Sequence, residues 1–306
     1  MGCNTSRNVQ VIEYDTESKV KYKLNWKPNP ETEFVPKLVL RGTAVGKKPL
    51  QKPPTKIDLS PNDSKVKDQG EIGACTAFSG VALMEHNLKT RGLLPANSDV
   101  YSERFVYYMT RKIARTPPTE DSGAFLSDLA KALKQYGACQ ESLCPYGSNY
   151  SDPPSEAALA DGLKNQAVEV VQIPELGQTR AEVLYAMRTT LSQKIPITLG
   201  FVVYDSIYRA DVKRTGRIPL PGGKQIGGHA IPIIGYDDNI ACFKFKNSWS
   251  TGWGDKGYGY LPYQYVLKNL ASDIWAVVSQ EIQDGHAILD IRKPRLTVCP
   301  NCSHSL

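Results

Sequence analysis

The chain has 306 residues, of which 41% are hydrophobic and 22% are charged, a composition typical of a globular protein with one large or two modest domains. It has no apolar run long enough to cross a membrane as a helix, and residues 1–30 lack the apolar core of a secretory signal. Residues 1–56 carry 11 Lys and Arg against 5 Asp and Glu, which accounts for the whole net charge of +6. Enzymes of nucleic acids more often have a basic face on the folded body, so we expect no nucleic-acid partner.

Residues 1–55 are rich in Lys and Pro and predict an extended basic segment and linker. Met1 to Ser6 fit the pattern for N-myristoylation at Gly2, with Cys3 as a site for a second acyl chain. Membrane association is expected only if Gly2 and Cys3 are acylated, because stable anchoring takes two signals. Without acylation we expect a cytoplasmic protein, or export by a non-classical route.

The first half of the body has the apolar spacing of helices. Apolar residues near period 3.6 predict helices from Cys75 to Arg91, Ser102 to Ile113 and Ala124 to Tyr136. Gly137 follows the third helix, and glycine commonly ends helices.

After about residue 167 the apolar period shifts toward two, which predicts strands. These strands cover residues 168–171, 197–203, 230–234 and 242–245, and one helix from Arg180 to Ser192 interrupts them. The order predicts an α+β fold with a helical half followed by a mostly antiparallel sheet. We place a body at 56–284, with a helical lobe at about 70–165 and a β lobe at about 166–284, and a C-terminal tail at 285–306.

Cys75 is the candidate nucleophile. It opens a predicted helix, whose N-terminal N–H groups stabilise a thiolate. A single Cys among apolar residues is more often a buried, inert thiol. Gln69, six residues earlier, favours the catalytic interpretation, because its side-chain N–H and the Cys75 backbone N–H can point at one developing oxyanion. The alternative is that Gln69 is a turn residue.

His229 and Asn247 are the candidate base and the residue that orients it. The chain has only four His, and this one follows two glycines at the start of an apolar strand. Asn247 would accept a hydrogen bond from one imidazole nitrogen and so fix the ring. Trp249 and Trp253 would cover this contact and exclude water. The alternative is a structural histidine beside ordinary core tryptophans.

Three motifs resemble the papain-like cysteine peptidases, in particular members of the bacterial type. They are Asp-Gln-Gly-Glu-Ile-Gly-Ala-Cys-Thr-Ala-Phe-Ser at 68–79, Gly-His-Ala-Ile at 228–231 and Asn-Ser-Trp-Ser-Thr-Gly-Trp-Gly at 247–254. The resemblance covers roughly residues 55 to 282. It implies a two-lobe α+β fold, with a helical left lobe, an antiparallel β-barrel-like right lobe and the active site in the cleft between them.

The resemblance also implies roles. Cys75 would be the nucleophile, His229 the general base and acid, Asn247 the orienting residue and Gln69 the oxyanion donor of an enzyme that hydrolyses protein or peptide substrates through a thioester, with no cofactor or metal. Five further residues would contact the substrate. They are Ser122 and Gly123 at an edge that pairs with the substrate backbone, Gly200 and Ala230 in a side-chain pocket, and Trp249.

The sequence departs from the family at two positions. The family has a second Cys three residues before the nucleophile and an aromatic residue after it, where this chain has Ile72 and Thr76. The usual disulfide of the active-site loop is therefore absent. Thr76 affects the expected rate and specificity more than the reaction type.

Two other functions stay open: an acyl or amide transferase that uses the same thiol, and a non-catalytic binding protein on the same fold. The second is disfavoured because all four chemical positions are filled. We also predict that the segment from Trp26 to Leu40 folds across the cleft as an autoinhibitory pro-segment, because exposed Trp and Phe side chains are costly. The alternative is a disordered tail.

The seven cysteines are an odd number without the dense spacing of a disulfide scaffold, which favours a largely reduced protein. A bridge between Cys139 and Cys144 stays open at this point. Cys299 and Cys302, with His304 nearby, resemble half of a zinc site, but the sequence offers no second pair of ligands. We expect an oxidisable tail there rather than a metal site, and the sequence makes no prediction of the oligomeric state.

Overall fold

The computed structural model describes residues 23–28, 52–94, 99–147, 149–175 and 177–280. In these ranges the chain forms seven α-helices and seven strands, besides four short 3₁₀ turns. The helices are α1 (Cys75–Thr90), α2 (Glu103–Ile113), α3 (Leu126–Gln135), α4 (Glu156–Gly162), α5 (Arg180–Ser192), α6 (Ala210–Thr215) and α7 (Gln264–Leu267). The strands are β1 (Lys56–Asp58), β2 (Ala167–Gln172), β3 (Ile197–Tyr204), β4 (Gln225–Asp237), β5 (Cys242–Lys246), β6 (Tyr258–Pro262) and β7 (Ala271–Gln280).

The four helices predicted from apolar spacing are confirmed as α1, α2, α3 and α5. Helix α2 begins after its N-cap residue, Ser102, whose hydroxyl accepts a hydrogen bond from the backbone N–H of Phe105 at 3.0 Å. Helix α1 is buried from Cys75 to Lys89, so it is the central helix of its lobe rather than a surface helix. None of the described helices is both long and apolar enough to span a membrane.

The strands form one antiparallel sheet in the order β2-β7-β3-β4-β5-β6, with β1 paired to β4. The predicted strands at 168–171, 197–203, 230–234 and 242–245 are confirmed within β2, β3, β4 and β5. In the β3–β4 register, Gly200 lies opposite Ala230 and Phe201 opposite His229. The described strands show no pairing between β2 and β6, so closure of the sheet into a barrel stays a prediction.

Two hydrophobic cores give the α+β fold its two lobes. One lies among α1, α2 and α3 and includes Met84, Phe105 and Cys75. The other lies on the sheet and includes Leu199 and Phe245. Helix α1 packs against β4, which brings the start of the helix to the strand that carries the candidate base. The acylation motif at 1–6 and the tail at 285–306 lie outside the described residues, and the proposed lobe boundaries stay predictions.

Candidate active site

Cys75 is the first residue of α1, and its side chain is fully buried. Burial raises the pKa of the thiol to about 11, although hydrogen bonds from the backbone of Ala230, Asn25 and Thr76 act in the opposite direction. The sulfur therefore lies against Ala230 of β4, the residue that follows His229, and against a residue of the N-terminal segment. In this covered state the thiol is protonated at neutral pH.

His229 is held by Asn247. Its Nε2 lies 2.9 Å from Asn247 Oδ1, and the backbone N–H of Ser248 donates to the same oxygen at 2.9 Å. The Ser248 contact identifies this atom as the amide oxygen, which can only accept hydrogen bonds. His229 Nε2 must therefore donate to it, and this places the ring proton on Nε2. Nδ1 is then the basic nitrogen, and it has no hydrogen-bond partner among the described residues. Burial lowers the pKa of His229 to about 4, against the opposing effect of the Asn247 contact.

Two tryptophans cover this pair, as the sequence predicted. Trp249 stacks on the His229 ring with centroids 4.8 Å apart, and Trp253 packs edge-on against Trp249 at 5.4 Å. Both side chains are buried. They keep water away from the Asn247–His229 contact, which strengthens it.

Gln69 is fixed with its amide N–H groups toward the groove. Its Oε1 accepts from the Ser248 hydroxyl at 2.6 Å, so its Nε2 points the other way. Nε2 donates to the Ile72 carbonyl at 2.9 Å and to the Lys23 carbonyl at 3.3 Å. A backbone carbonyl therefore already lies beside the predicted oxyanion donor.

Residues 23–28 lie in the groove between the lobes. The backbone N–H of Trp26 donates to the Gly228 carbonyl at 3.0 Å, and that of Lys27 lies 3.5 Å from the Ala124 carbonyl. Asn25 pairs with Gly228, and Trp26 with Ala124, as parallel bridges. The Trp26 side chain is only 7% exposed. The segment therefore bonds to the edges of both lobes and covers the candidate nucleophile.

The predicted glycines of the substrate groove lie under this segment. Gly123 has φ +71°, and a Cβ there would lie 2.0 Å from the Asn25 carbonyl oxygen. A Cβ on Gly200 would lie 1.8 Å from the Trp26 indole. Both positions thus allow a close approach that a side chain would prevent. Ser122 donates to the adjacent Gly123 carbonyl at 3.3 Å, within its own loop.

Asp121 also belongs to the site, although the sequence pattern did not single it out. Its carboxylate accepts from the Gly73 backbone N–H at 3.0 Å and the Tyr107 hydroxyl at 2.5 Å, and forms an ion pair with Lys23 at 2.8 Å. Its backbone carbonyl accepts from the Asn25 amide at 3.1 Å. One residue thus connects the loop before the nucleophile to the N-terminal segment. A single Asp before Ser-Gly carries no spacing signal that would have identified it.

Asp273 was missed for a similar reason. It is 4% exposed, adopts φ +59°, and accepts from Trp275 Nε1 at 2.7 Å. Burial raises its pKa to about 6, and interactions with the Trp275 and Trp26 side chains act in the opposite direction. Trp26 Nε1 and Asp273 Oδ2 nevertheless both lack a partner with hydrogen-bond geometry, so their contact is loose. The pocket that holds the Trp26 ring therefore combines apolar walls with one acidic group.

A half-buried cation, Lys67, lines the same cavity as the candidate nucleophile. Lys67 Nζ forms ion pairs with Glu103 at 2.8 Å and with Glu85 at 3.7 Å. Burial alone would lower the pKa of Lys67, but the attraction of these carboxylates outweighs it and raises the pKa to about 12. The ion-pair cluster joins α1, α2 and the loop before Gln69, which stiffens the wall of the site. In the described part of the chain, no group of three or more His, Cys, Asp or Glu side chains could hold a metal ion.

Comparisons with known proteins identify the family of the chain. The family model of papain family cysteine proteases matches residues 53–274. An uncharacterized peptidase C1-like protein of Acanthamoeba polyphaga mimivirus is 33% identical over 241 residues, which cover 75% of this chain and 74% of that protein.

Two of the solved structures that are similar to this chain show the likeness of fold. One is xylellain, a cysteine protease from Xylella fastidiosa, with a TM-score of 0.72 and 27% identity over 89% of this chain and all of the other. The second is a procathepsin B from Trypanosoma congolense, with a TM-score of 0.61 and 18% identity over 81% of this chain and 83% of the other, a likeness of fold alone.

Proposed function

The chain belongs to the papain family of cysteine proteases, and on that premise we propose that it is an endopeptidase that uses Cys75, His229 and Asn247 and is held inactive by residues 23–28. Its partners are protein or peptide substrates. The observation that carries the catalytic part is the 2.9 Å contact between His229 Nε2 and Asn247 Oδ1, which leaves the basic Nδ1 of the ring without a hydrogen-bond partner in the described part of the chain.

The reaction follows from these positions. When the groove is open, His229 Nδ1 takes the Cys75 proton, and the sulfur attacks the carbonyl carbon of a bound peptide. The developing oxyanion is stabilised by Gln69 Nε2 and the Cys75 backbone N–H. His229 then protonates the leaving amine and activates a water molecule, which hydrolyses the thioester.

Substrate-binding roles follow from what lies against residues 23–27. Gly123 lies against the Asn25 backbone, and Gly200 lies against the Trp26 ring. Ala230 contributes a backbone N–H to the nucleophile and lies opposite Gly200. We assign these three residues to the walls of the substrate groove, with Ser122 shaping the loop and Trp249 bounding the imidazole side.

The groups that lie against the Cys75 sulfur and against Gln69 support the inhibited state. The Asn25 backbone N–H hydrogen-bonds Cys75, so the nucleophile faces a donor rather than an electrophilic carbonyl carbon. The Lys23 carbonyl takes the Gln69 side-chain N–H that a substrate oxyanion would need. A segment with this placement occupies the site without being positioned for cleavage. The rest of the predicted inhibitory segment, residues 29–40, lies outside the described residues.

The test is hydrolysis of an internally quenched peptide by the full chain and by the Trp26→Ala variant. We expect little hydrolysis by the wild type, clear hydrolysis by the variant, and complete inhibition by an epoxide that alkylates active-site thiols. The Cys75→Ala, Trp26→Ala double variant is the matched control and should be inactive. If an added amine captures the acyl group in preference to water, the enzyme is a transferase. If the epoxide never labels Cys75 in the Trp26→Ala variant, the protein is a binding protein.

A further inference from the structure

The helical lobe contains a second pair of thiols that the proposed reaction does not use. Cys139 and Cys144 bracket the short 3₁₀ turn Glu141–Leu143, and both are free and buried. Each side chain is the strongest influence on the pKa of the other, and the Cys139 thiol also donates to the Gln140 carbonyl at 3.5 Å. The two sulfurs are thus already neighbours, although no covalent bond joins them.

Ser102 fixes the backbones of both cysteines. Its N–H donates to the Cys139 carbonyl at 2.9 Å, and its hydroxyl makes a short hydrogen bond to the Cys144 carbonyl. Because Ser102 is also the N-cap of α2, the anchor is part of a helix rather than of a loose loop. The pair is therefore held in register, which favours a reaction between the two sulfurs over a reaction with other thiols.

Arg104 supplies a positive charge to one member of the pair. Its Nη1 donates to Cys144 Sγ at 3.3 Å, and within the described ranges its other two hydrogen bonds go to the carbonyls of Asn149 at 2.9 Å and Asp152 at 3.0 Å. None of these three acceptors is a carboxylate, and the arginine is 7% exposed. A buried guanidinium is stabilised by a negative partner, and a Cys144 thiolate would provide one.

The two thiols are accordingly unequal. The interaction with the Cys139 side chain and the charge of Arg104 lower the pKa of Cys144 to about 7, against desolvation and the nearby Glu141 carboxylate. The same interaction raises the pKa of Cys139, and desolvation adds to the effect. Cys144 is thus the partner that ionises first, and Cys139 is the partner that keeps its proton.

We propose that Cys139 and Cys144 form a peroxide-reactive dithiol that closes to an intramolecular disulfide, with Cys144 as the attacking sulfur and Cys139 as the resolving one. Hydrogen peroxide is the oxidant class that fits, because both sulfurs are buried and only a small molecule reaches them on a local opening of the turn. This site is separate from the peptidase site and does not depend on the proposed function.

The chemistry balances in two steps. The Cys144 thiolate attacks one peroxide oxygen, so that an S–O bond forms, the O–O bond breaks, and hydroxide leaves. The sulfur is oxidised to a sulfenic acid, and the peroxide is reduced. The Cys139 sulfur then attacks the sulfenic sulfur, so that the S–S bond forms and the S–O bond breaks. The departing hydroxide takes the Cys139 proton and leaves as water.

The chain offers an internal control for this reaction. Tryptic cleavage after Lys134 and Lys164 gives the peptide 135–164, in which Cys139 and Cys144 are the only cysteines. Cleavage after Lys224 and Lys244 gives the peptide 225–244, whose only cysteine is Cys242. Cys242 is less buried than the pair, so exposure alone would favour its oxidation. Partial burial nevertheless raises the pKa of Cys242, so ionisation favours oxidation of Cys144.

The experiment treats the full wild-type chain with dilute hydrogen peroxide at pH 7, quenches and alkylates it with a maleimide under denaturing conditions, and follows both peptides by mass spectrometry. We expect peptide 135–164 to lose the mass of two hydrogens and to stop reacting with maleimide. This change should be at least tenfold faster than the oxidation of Cys242. The proposal is overturned if peptide 135–164 still takes two maleimides when Cys242 is already oxidised.

Two pairs of variants test the roles. In Cys139→Ser, Cys144 should accumulate as a sulfenic acid that dimedone traps, whereas Cys139 in Cys144→Ser should stay reduced. Arg104→Gln should slow disulfide formation about tenfold, and Arg104→Lys should slow it less because the charge is kept. Equal trapping in both cysteine variants, or an unchanged rate in Arg104→Gln, would overturn the assigned roles. The wild-type measurement needs no variant and stands even if one of them fails to fold.

Discussion

Replacement of Trp26 by alanine in the full chain is the sharpest test of the inhibited state. The indole is 93% buried in the cleft between Gly200 and Gly228, where a Cβ on either glycine would overlap it or its backbone. A buried Trp removes roughly 150–250 Å² from water. At about 25 cal/mol per Å², this burial is worth roughly 4–6 kcal/mol, of which truncation to Ala loses roughly 3–5 kcal/mol.

Only part of that loss acts on release of the segment, because the methyl group and the backbone bonds remain. The ion pair between Lys23 and Asp121 and the bond from Trp26 N–H to Gly228 are unchanged by the substitution. If about 3 kcal/mol acts on the closed-to-open equilibrium, the open population rises roughly 100-fold, since 1.4 kcal/mol is a factor of ten. The initial rate of peptide hydrolysis should rise by the same factor until the open form predominates.

The matched control is Lys27→Ala in the same segment. The Lys27 ammonium group lies 6.0 Å from the Phe125 ring, a cation–π contact worth roughly 0.5–1 kcal/mol at most. Its removal should change the rate by no more than about fivefold. The melting temperatures must show that wild type, Lys27→Ala and Trp26→Ala are all folded. If the three proteins then hydrolyse the peptide at equal rates and the epoxide labels Cys75 equally in each, the indole does not hold the groove closed.

Three further outcomes follow from the same geometry. Alkylation of Cys75 by iodoacetamide at pH 7 should be much slower in the wild type than in Trp26→Ala, because burial raises its pKa to about 11 in the covered state; equal rates would mean that the segment does not desolvate it. Asn247→Ala in the Trp26→Ala background should lower kcat roughly 10²-fold by freeing the imidazole, less than Cys75→Ala does, and an unchanged kcat would contradict the orienting role. Burial lowers the pKa of His86 to about 4 from 6.5, so the unfolded chain binds a proton that the folded chain resists and stability falls as pH drops from 6.5 to 4, by up to about 3 kcal/mol. Urea unfolding at pH 7 and 4.5 should show a smaller loss in His86→Phe, and an equal loss would assign the acid sensitivity to other groups.

The sequence predicted the parts of the fold that local pattern controls. Helix α1 and strand β4 were found because apolar spacing and flanking glycines are local signals. The contact between His229 and Asn247 was also accessible, because two polar residues 18 apart flank a hairpin and one of them carries a distinctive aromatic motif. In these cases the information lies within about twenty residues of chain.

The parts that were missed depend on contacts between distant segments. Asp121 contributes to the site because it meets Lys23, 98 residues away, and Gly73, 48 residues away. Asp273 matters because β7 brings it to the ring of Trp26. Neither residue belongs to a spacing pattern in the sequence, because its role depends on contacts that form only when the chain folds. The neutral form of Cys75 in the covered state was not predicted, because Asn25 of the covering segment is 50 residues away along the chain.

Burial favours the neutral state of Cys75 and of His229, and residues 23–28 contribute to the burial of Cys75. Binding of residues 23–28 is therefore coupled to the absence of the thiolate–imidazolium pair. The coupling is reciprocal: conditions that stabilise the charged pair favour release of the segment, and release favours the charged pair. In the proposed inhibited state, a single equilibrium therefore controls both access to the groove and the chemical competence of the nucleophile. A mutation that opens the groove should activate the sulfur as well, without any change at Cys75, His229 or Asn247.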